Sequence, residues 1–420
     1  MAGARILVVG GSLGGLMAAN VLLRAGHEVT LLEKAPASLD GRGAGIVTHS
    51  RLVHALRAAG VDVDGAAGHA TDNTLGVAVQ SRVALDAAGH AVARLDCPQV
   101  LTSWSRLYAL LLAALPAGRC LAGHAVAQLE QDEHGVRVRC ASDEVFDADL
   151  LIASDGIRST VRAQLAPQAT PQYAAYAAWR GVCDESVLSQ RTQSTLFGHF
   201  GFGLPDREQI IGYPVAGPGN ATAPGARRYN FVWYRPADEA VVLRRLMTDA
   251  DGHHHAGGIA PHKVNWREIA AMRHAGRALL APQWAEVLEK TAQPFLQPIH
   301  DLMSERLVFG RVALMGDAAF VARPHVGMGV TKAGEDALAL ADAITQLGAT
   351  PAALLHYEAQ RLAPGRAVVE RGRRLGAYMQ AQSGSAADRG TAAAGRSALT
   401  VLRETAIDLA LPEHSAALAA

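Results

Sequence analysis

The chain has 420 residues, half of them hydrophobic, and its 39 basic and 39 acidic side chains cancel. Balanced charge without a basic block gives no reason to expect nucleic acid as a partner, and the best apolar run, 108–115, is far too short to span a membrane. A single core seldom grows past about 250–300 residues, so two domains are expected.

In chain order, the first element is an unbroken apolar run, Ile6-Leu7-Val8-Val9, which suits a parallel strand buried on both faces. Gly10-Gly11-Ser12-Leu13-Gly14-Gly15 follows, and Leu16 to Leu23 reads as the start of a helix. The free N–H groups and positive end of that helix would face a pyrophosphate. The next strand, His27 to Glu33, ends in a carboxylate at the span expected for a ribose contact. Within a G-x-G-x-x-G frame Gly10 and Gly15 hold the first and third places, and Ser12 the second. Serine is small enough to let backbone approach phosphate. A tight strand–helix turn that binds nothing is the plain alternative; strand, helix and Glu33 in place together favour a nucleotide.

The glycine cluster Asp40-Gly41-Arg42-Gly43-Ala44-Gly45-Ile46 predicts a sharp turn or backbone laid close to a ligand. Residues 51–60 predict an amphipathic helix, and alternating segments between 74 and 98 predict strands of another sheet. A helix is expected from Ser103 to Leu115, capped by Ser103 or Ser105 and stopped at Pro116. Residues 122–155 alternate into a strand that ends on Asp155-Gly156, so the first domain is interrupted and then resumed. From 172 to 290 aromatics concentrate in short alternating runs, which predicts an antiparallel sheet forming a floor over the nucleotide domain. Val312 to Met315 is a third apolar strand, ending on Gly316-Asp317. Helix is expected over Thr331 to Leu347 and again over Ala352 to Gln382, with a break at Pro364. His253-His254-His255 reads as a solvated loop, not a metal site, because adjacent histidines do not converge on one ion. Cys97, Cys120, Cys140 and Cys183 are too scattered for disulfides or zinc. With an N-terminus that runs directly into a strand, they predict a soluble cytoplasmic protein.

These elements predict an α/β fold. A Rossmann-like nucleotide-binding domain with an interrupted parallel sheet takes 1–72, 99–170 and 295–350. A smaller domain with a mixed or antiparallel sheet takes 73–98 and 171–294, and 351–420 forms a C-terminal helical segment.

In this order the three strand-end motifs, with Pro324-His325-Val326-Gly327-Met328-Gly329 after the last, resemble the single-component FAD-dependent aromatic hydroxylases over roughly residues 4–375. Within them the chain is most similar to the 2,6-dihydroxypyridine 3-monooxygenase branch. The supporting segments are 40–47, Trp179-Arg180-Gly181-Val182, Leu246-Met247-Thr248-Asp249, Gln297-Pro298-Ile299-His300-Asp301 and Arg323-Pro324-His325. The resemblance implies that Gly10, Ser12, Leu13 and Gly15 lie along the FAD pyrophosphate, with Glu33 on the adenosine ribose and Lys34 beside it. Arg42 and Arg106 would meet the phosphate and ribitol region. Asp155 and Gly156, near Arg158, would touch FAD and the incoming nicotinamide nucleotide. Asp317 would bind the ribitol. Pro324 to Thr331, hence Gly327, Gly329, Val330 and Thr331, would pass the isoalloxazine ring. Phe320 stands where the family often has histidine.

The chemistry implied is reduction of FAD by NADH or NADPH, addition of O2 at the flavin C4a, and transfer of one oxygen from the hydroperoxide to an activated ring. The partner is then a small aromatic or N-heteroaromatic molecule: a hydroxypyridine by resemblance, with a phenol or hydroxybenzoate-type ring as the alternative. The protein must hydrogen-bond or deprotonate a ring hydroxyl and exclude water. Tyr213, on a strand expected to line the pocket, and His325, beside Pro324, are the first candidates. His49, after the glycine cluster, and His199, in an aromatic strand, follow. Each is equally readable as core or surface. Arg180, Arg227 or Arg228 offers a partner for a substrate carboxylate. Flavin-dependent halogenases, isoprenoid reductases and non-catalytic dinucleotide sensors share the frame. The Trp-x-Trp-x-Ile-Pro segment of halogenases is not in the sequence. A homodimer is compatible with all of this.

Overall fold

In the computed structural model, residues 3–37, 39, 45–63, 75–380 and 396–408 are described. One sheet has six strands in the spatial order Val308–Phe309 (β16), Val312–Leu314 (β17), Leu150–Ala153 (β10), Arg5–Val9 (β1), Glu28–Glu33 (β2) and Cys120–Ala122 (β6). All neighbours pair in parallel except β16 with β17. Every residue of β10 and four of the five in β1 are buried, as unbroken apolar runs require. Helices Leu13–Arg24 (α1), Ser50–Ala58 (α2), Trp104–Ala114 (α3) and Gly329–Leu347 (α9) pack with this sheet, α1 against α3 and α9. Ser103 caps α3 by accepting from Arg106 N. A separate antiparallel ribbon joins Val126–Gln131 (β7), Val136–Cys140 (β8) and Val145–Ala148 (β9).

The second large sheet has nine strands. Their order is Phe320–Val321 (β18), Phe295–Met303 (β15), Gln172–Asp184 (β11), Arg228–Pro236 (β14), Gln209–Val215 (β13), His199–Gly203 (β12), Val77–Leu85 (β4), Ala91–Ser103 (β5) and Gly45–Val47 (β3). It is antiparallel except where β12 meets β4. One face carries Trp179, Trp233 and Ile210 into a core with Trp284 and Met272, from helices Trp266–Leu279 (α7) and Pro282–Lys290 (α8). The other carries Tyr176, Tyr213, Tyr234, Phe200 and Phe202. Thr160–Leu165 (α4), Gln190–Leu196 (α5) and the one-turn Arg244–Leu246 (α6) complete the connections.

Helix Pro351–Gly376 (α10) runs through Pro364 without ending, so the expected break is not there. Buried Tyr357 and Arg361 before the proline and Gly365, Val368 and Val369 after it anchor both halves, so packing outweighs the lost N–H bond. The last helix among the described residues, Ala398–Glu404 (α11), lies on the Tyr213 face, where Val401 and Leu402 are buried. Among the described residues no helix is long and apolar enough to cross a membrane.

Candidate active site

At the C-terminal ends of β1, β2 and β10 lies a cavity of about 230 Å³, lined by Gly10, Ser12, Glu33, Lys34, Asp155, Gly156 and Arg158 among others. Its shape depends on missing side chains. Gly10 has φ +102°, and a Cβ there would stand 2.4 Å from Ser154 O; a Cβ on Gly15 would stand 1.9 Å from Gly10 O. Ser12 precedes α1 but makes no side-chain cap, which leaves the first-turn N–H groups for a ligand. Leu13 is buried in the apolar core beneath the turn. Glu33 accepts from Gly11 N and Ala35 N, both at 2.7 Å. A carboxylate has about four lone-pair positions, so two remain for ribose hydroxyls. The cradle fits a dinucleotide pyrophosphate.

Asp155 lines the same cavity and also caps α4: its Oδ2 accepts from Thr160 N (2.8 Å) and Val161 N (3.3 Å). Its Oδ1 is buried without a partner, and burial pushes the carboxyl up despite those bonds. Arg106 is half-buried on the first turn of α3, whereas Arg42 lies outside the described residues.

Asp317 follows β17 and is exposed, although protein crowds it closely enough to push its carboxyl up. Lys332 opposes that rise and Asp336 adds to it. Lys332 is buried with Nζ 3.9 Å from Asp336 Oδ2. Asp336 is itself held by Gly316 N (3.0 Å) and Arg361 Nε (2.7 Å). Phe320 packs under α10, where a Cβ on Gly365 would be 2.2 Å from its ring. Pro324–Val326 is a single helical turn ending at Gly327, whose φ is +64°. Met328 then opens α9 without a side-chain cap, so the first-turn amides from Gly329, Val330 and Thr331 have no side-chain acceptor at the N-cap.

The inner face of the nine-stranded sheet meets this turn. Register places Tyr213 opposite Asn230, and Tyr234 opposite Ala178, so these side chains share a face with Tyr176 and Arg180. Tyr213 is buried against Phe200, with ring centroids 5.0 Å apart. A Cβ on Gly45 would lie 2.3 Å from its ring, and Asn230 Oδ1 accepts from Gly45 N at 3.0 Å. His325 Nε2 and Tyr176 Oη share a 2.9 Å hydrogen bond, and the Tyr234 ring lies 4.1 Å from the imidazole. Arg323 braces that turn through Asp301 Oδ2 (2.8 Å), whose other oxygen takes Arg373. His49 Nδ1 and Thr331 Oγ1 are 2.9 Å apart, joining α2 to α9.

Burial lowers the pKa of both histidines; for His49, Asp408 partly opposes the effect, and for His325, Arg396 and Arg323 add to it. Burial raises Tyr213 and Tyr234, with Arg180 opposing in each. Several buried groups here have no protein partner among the described residues: Tyr234 Oη, Asn230 Nδ2, His49 Nε2, His325 Nδ1 and Arg180 Nε. Such atoms are costly unless something else satisfies them.

Three of the four expected catalytic side chains, Tyr213, His325 and His49, therefore gather around one face. His199 does not. It bonds Ser81 Oγ at 2.9 Å, and its neighbour in register, Gly201, faces Trp284, so the histidine stands on the helix-covered side of the sheet. A strand alternates faces, and one step along β12 reverses the side. Asn230 and Tyr176, the partner of His325, carry no motif. Only the aromatic density of 172–234 hinted at them.

A glycine cradle at the ends of parallel strands, an acidic residue in the cleft and a polar sheet face opposite an uncapped helix define a dinucleotide-dependent enzyme that works on a small molecule. Residues 5–64 match the pyridine nucleotide-disulphide oxidoreductase family and residues 173–301 the FAD binding domain-like family. The chain is 32% identical to 2,6-dihydroxypyridine 3-monooxygenase of Paenarthrobacter nicotinovorans, over 90% of this chain and 91% of the other. It is 31% identical to aurachin C monooxygenase/isomerase of Stigmatella aurantiaca, over 86% and 85%. The solved structure of 2,6-dihydroxypyridine-3-hydroxylase from Arthrobacter nicotinovorans superposes with a TM-score of 0.82 at 30% identity, covering 91% of this chain and 94% of that one. The protein belongs to the FAD-binding monooxygenases, the family of FAD-dependent aromatic hydroxylases.

Proposed function

We propose that this protein hydroxylates an oxygen-activated N-heteroaromatic ring, a hydroxypyridine, at the expense of NADH or NADPH and O2. FAD, when bound, supplies the oxygen-transfer chemistry. Gly10, Ser12, Leu13, Gly15, Glu33 and Lys34 would hold its adenosine diphosphate half, with Asp155, Gly156 and Arg106 along the cleft; by resemblance Arg42, outside the described residues, would meet the phosphate and ribitol region. Asp317 would take the ribitol, and Pro324, Gly327, Gly329, Val330 and Thr331 the ring system.

The observation that carries the substrate reading is the pair of unpartnered groups on the sheet face, Tyr234 Oη and Asn230 Nδ2. A flat ring with hydroxyl and ring-nitrogen functions satisfies such groups; a plain hydrocarbon does not. His49, just after β3, has its pKa lowered by burial and is tied at Nδ1 by Thr331. With Nδ1–H donating to the threonine oxygen, Nε2 accepts the proton of a ring hydroxyl, and electron density rises where oxygen must attack. Tyr213 and Asn230 position the ring, and the Tyr176–His325 pair fixes the turn above it. A ring carrying a carboxylate is a second reading, because Arg180 Nε is unpartnered on the same face.

The test is NADH and NADPH oxidation by the FAD-loaded protein across hydroxypyridines, phenols and hydroxybenzoates, with product mass recorded. A hydroxypyridine that stimulates oxidation and gains one oxygen atom supports the reading. Turnover confined to hydroxybenzoates moves it to the carboxylate ring, and peroxide release with every ring refutes both.

A further inference from the structure

Arg82 has no part in the reading above, yet its side chain is fully buried on the Tyr213 face of the sheet. A buried guanidinium needs acceptors for its five N–H groups. It finds them at the end of α11. Nη1 donates to Leu402 O (2.7 Å) and Thr405 O (2.5 Å), and Nη2 to Ala406 O (2.9 Å). Gln99 Oε1 takes Nε (3.1 Å) and Nη2 (2.8 Å). These carbonyls lie where a helix leaves acceptors unused, and the cation sits at the negative end of its dipole.

Beyond that clamp the chain reaches two walls of the site. Ala406 N donates to His325 O at 2.8 Å, and a Cβ on Gly327 would lie 2.6 Å from Ala406 Cβ. Asp408 Oδ2 accepts from Ser50 N (3.2 Å) and Ser50 Oγ (2.6 Å), and Oδ1 from Arg51 Nε (3.0 Å), directly after His49. Ala406 has φ +50°, a conformation that a non-glycine residue keeps only where its surroundings impose it.

Resting on the hydroxylase reading, we propose that residues 396–408 form a wall of the active site and that Arg82 is the positioning residue that fastens it. Through Ala406 the wall holds the His325 turn, and through Asp408 it holds the start of the helix that follows His49. Together they close the flavin side to solvent.

Two variants separate the ends of this strap. Arg82→Met keeps an unbranched apolar stem and removes every donor; Asp408→Ala cuts the far end and leaves the clamp intact. Backbone hydrogen exchange over 322–331 and 47–53, and iodide quenching of bound-flavin fluorescence, are measured on FAD-loaded protein. Exchange in both stretches is expected to rise about tenfold in Arg82→Met and about threefold in Asp408→Ala, with stronger iodide quenching in both. Arg82→Lys, a point charge in place of a fork, falls between. Arg137→Met, on the separate β7–β9 ribbon, changes neither. Folded variants with unchanged exchange and quenching overturn the proposal; if Arg82→Met does not fold, Asp408→Ala decides. Wild-type protein that binds no FAD contradicts the hydroxylase reading instead, and the exchange comparison on that apoprotein still judges the strap.

Discussion

On the proposed reading, the two large sheets would meet their ligands in opposite ways. The six-stranded sheet offers backbone: Gly10 and Gly15 remove the Cβ atoms that would close the turn, and α1 presents its N–H groups. The nine-stranded sheet offers side chains: Tyr213, Asn230 and Tyr234 stand in register on one face. Backbone recognition tolerates almost no added atom but is indifferent to most side chains. Side-chain recognition tolerates many changes in stability while each hydroxyl or amide carries specificity. Damage to the first sheet should therefore abolish FAD binding, and damage to the second should change the ring.

The largest expected effect is at Gly15. Gly15→Val drives a side chain into Gly10 O, 1.9 Å from the new Cβ, at a cost of about 3 kcal/mol or more. Flavin absorbance of the purified variant should be lost. Next is Asn230→Ala, which frees Gly45 N and removes a donor from the face. Affinity for the productive ring, read by flavin spectral titration, should fall about tenfold to a hundredfold with FAD content unchanged. Tyr234→Phe deletes a buried hydroxyl that has no protein partner among the described residues. It should raise substrate-free stability by about 1 kcal/mol in a denaturant melt and still weaken ring binding.

A smaller effect is on pH. Burial lowers the pKa of His325 and His49, so the folded chain takes up their protons at lower pH than a free histidine would. The unfolded chain takes them up near pH about 6.5 and binds more protons below that point, so stability falls as pH drops. The slope reaches at most about 1.4 kcal/mol per pH unit for each histidine. Melting temperature between pH about 8 and 5 should decline less steeply in His325→Gln than in wild type. Smallest of all, His199→Gln, on the helix-covered side, should leave kcat/KM within about twofold. A larger drop would break the assignment of faces.

What the sequence disclosed follows the same division. Gly10, Gly15 and Glu33 were legible because a cradle without Cβ atoms admits little besides glycine, and because the carboxylate expected on a ribose ends the next strand. The nine-stranded face was not. Alternation in β12 and β13 reveals that side chains point both ways, but nothing local says which way is inward. Tyr213 and His199 looked alike until the register separated them. Pro364 signalled a helix end that long-range packing overrode. Arg82 reads in sequence as an ordinary strand charge, and its backbone acceptors lie more than three hundred residues away.

The central claim is that one sheet holds the cofactor and the facing sheet chooses the ring. It is tested most directly by titrating 2,6-dihydroxypyridine into FAD-loaded wild type and Asn230→Ala while recording the flavin spectrum and FAD content together. The account predicts full FAD content in both, a spectral shift in wild type and a markedly weaker one in the variant. Equal ring affinity in the two, or loss of FAD from Asn230→Ala, would contradict it.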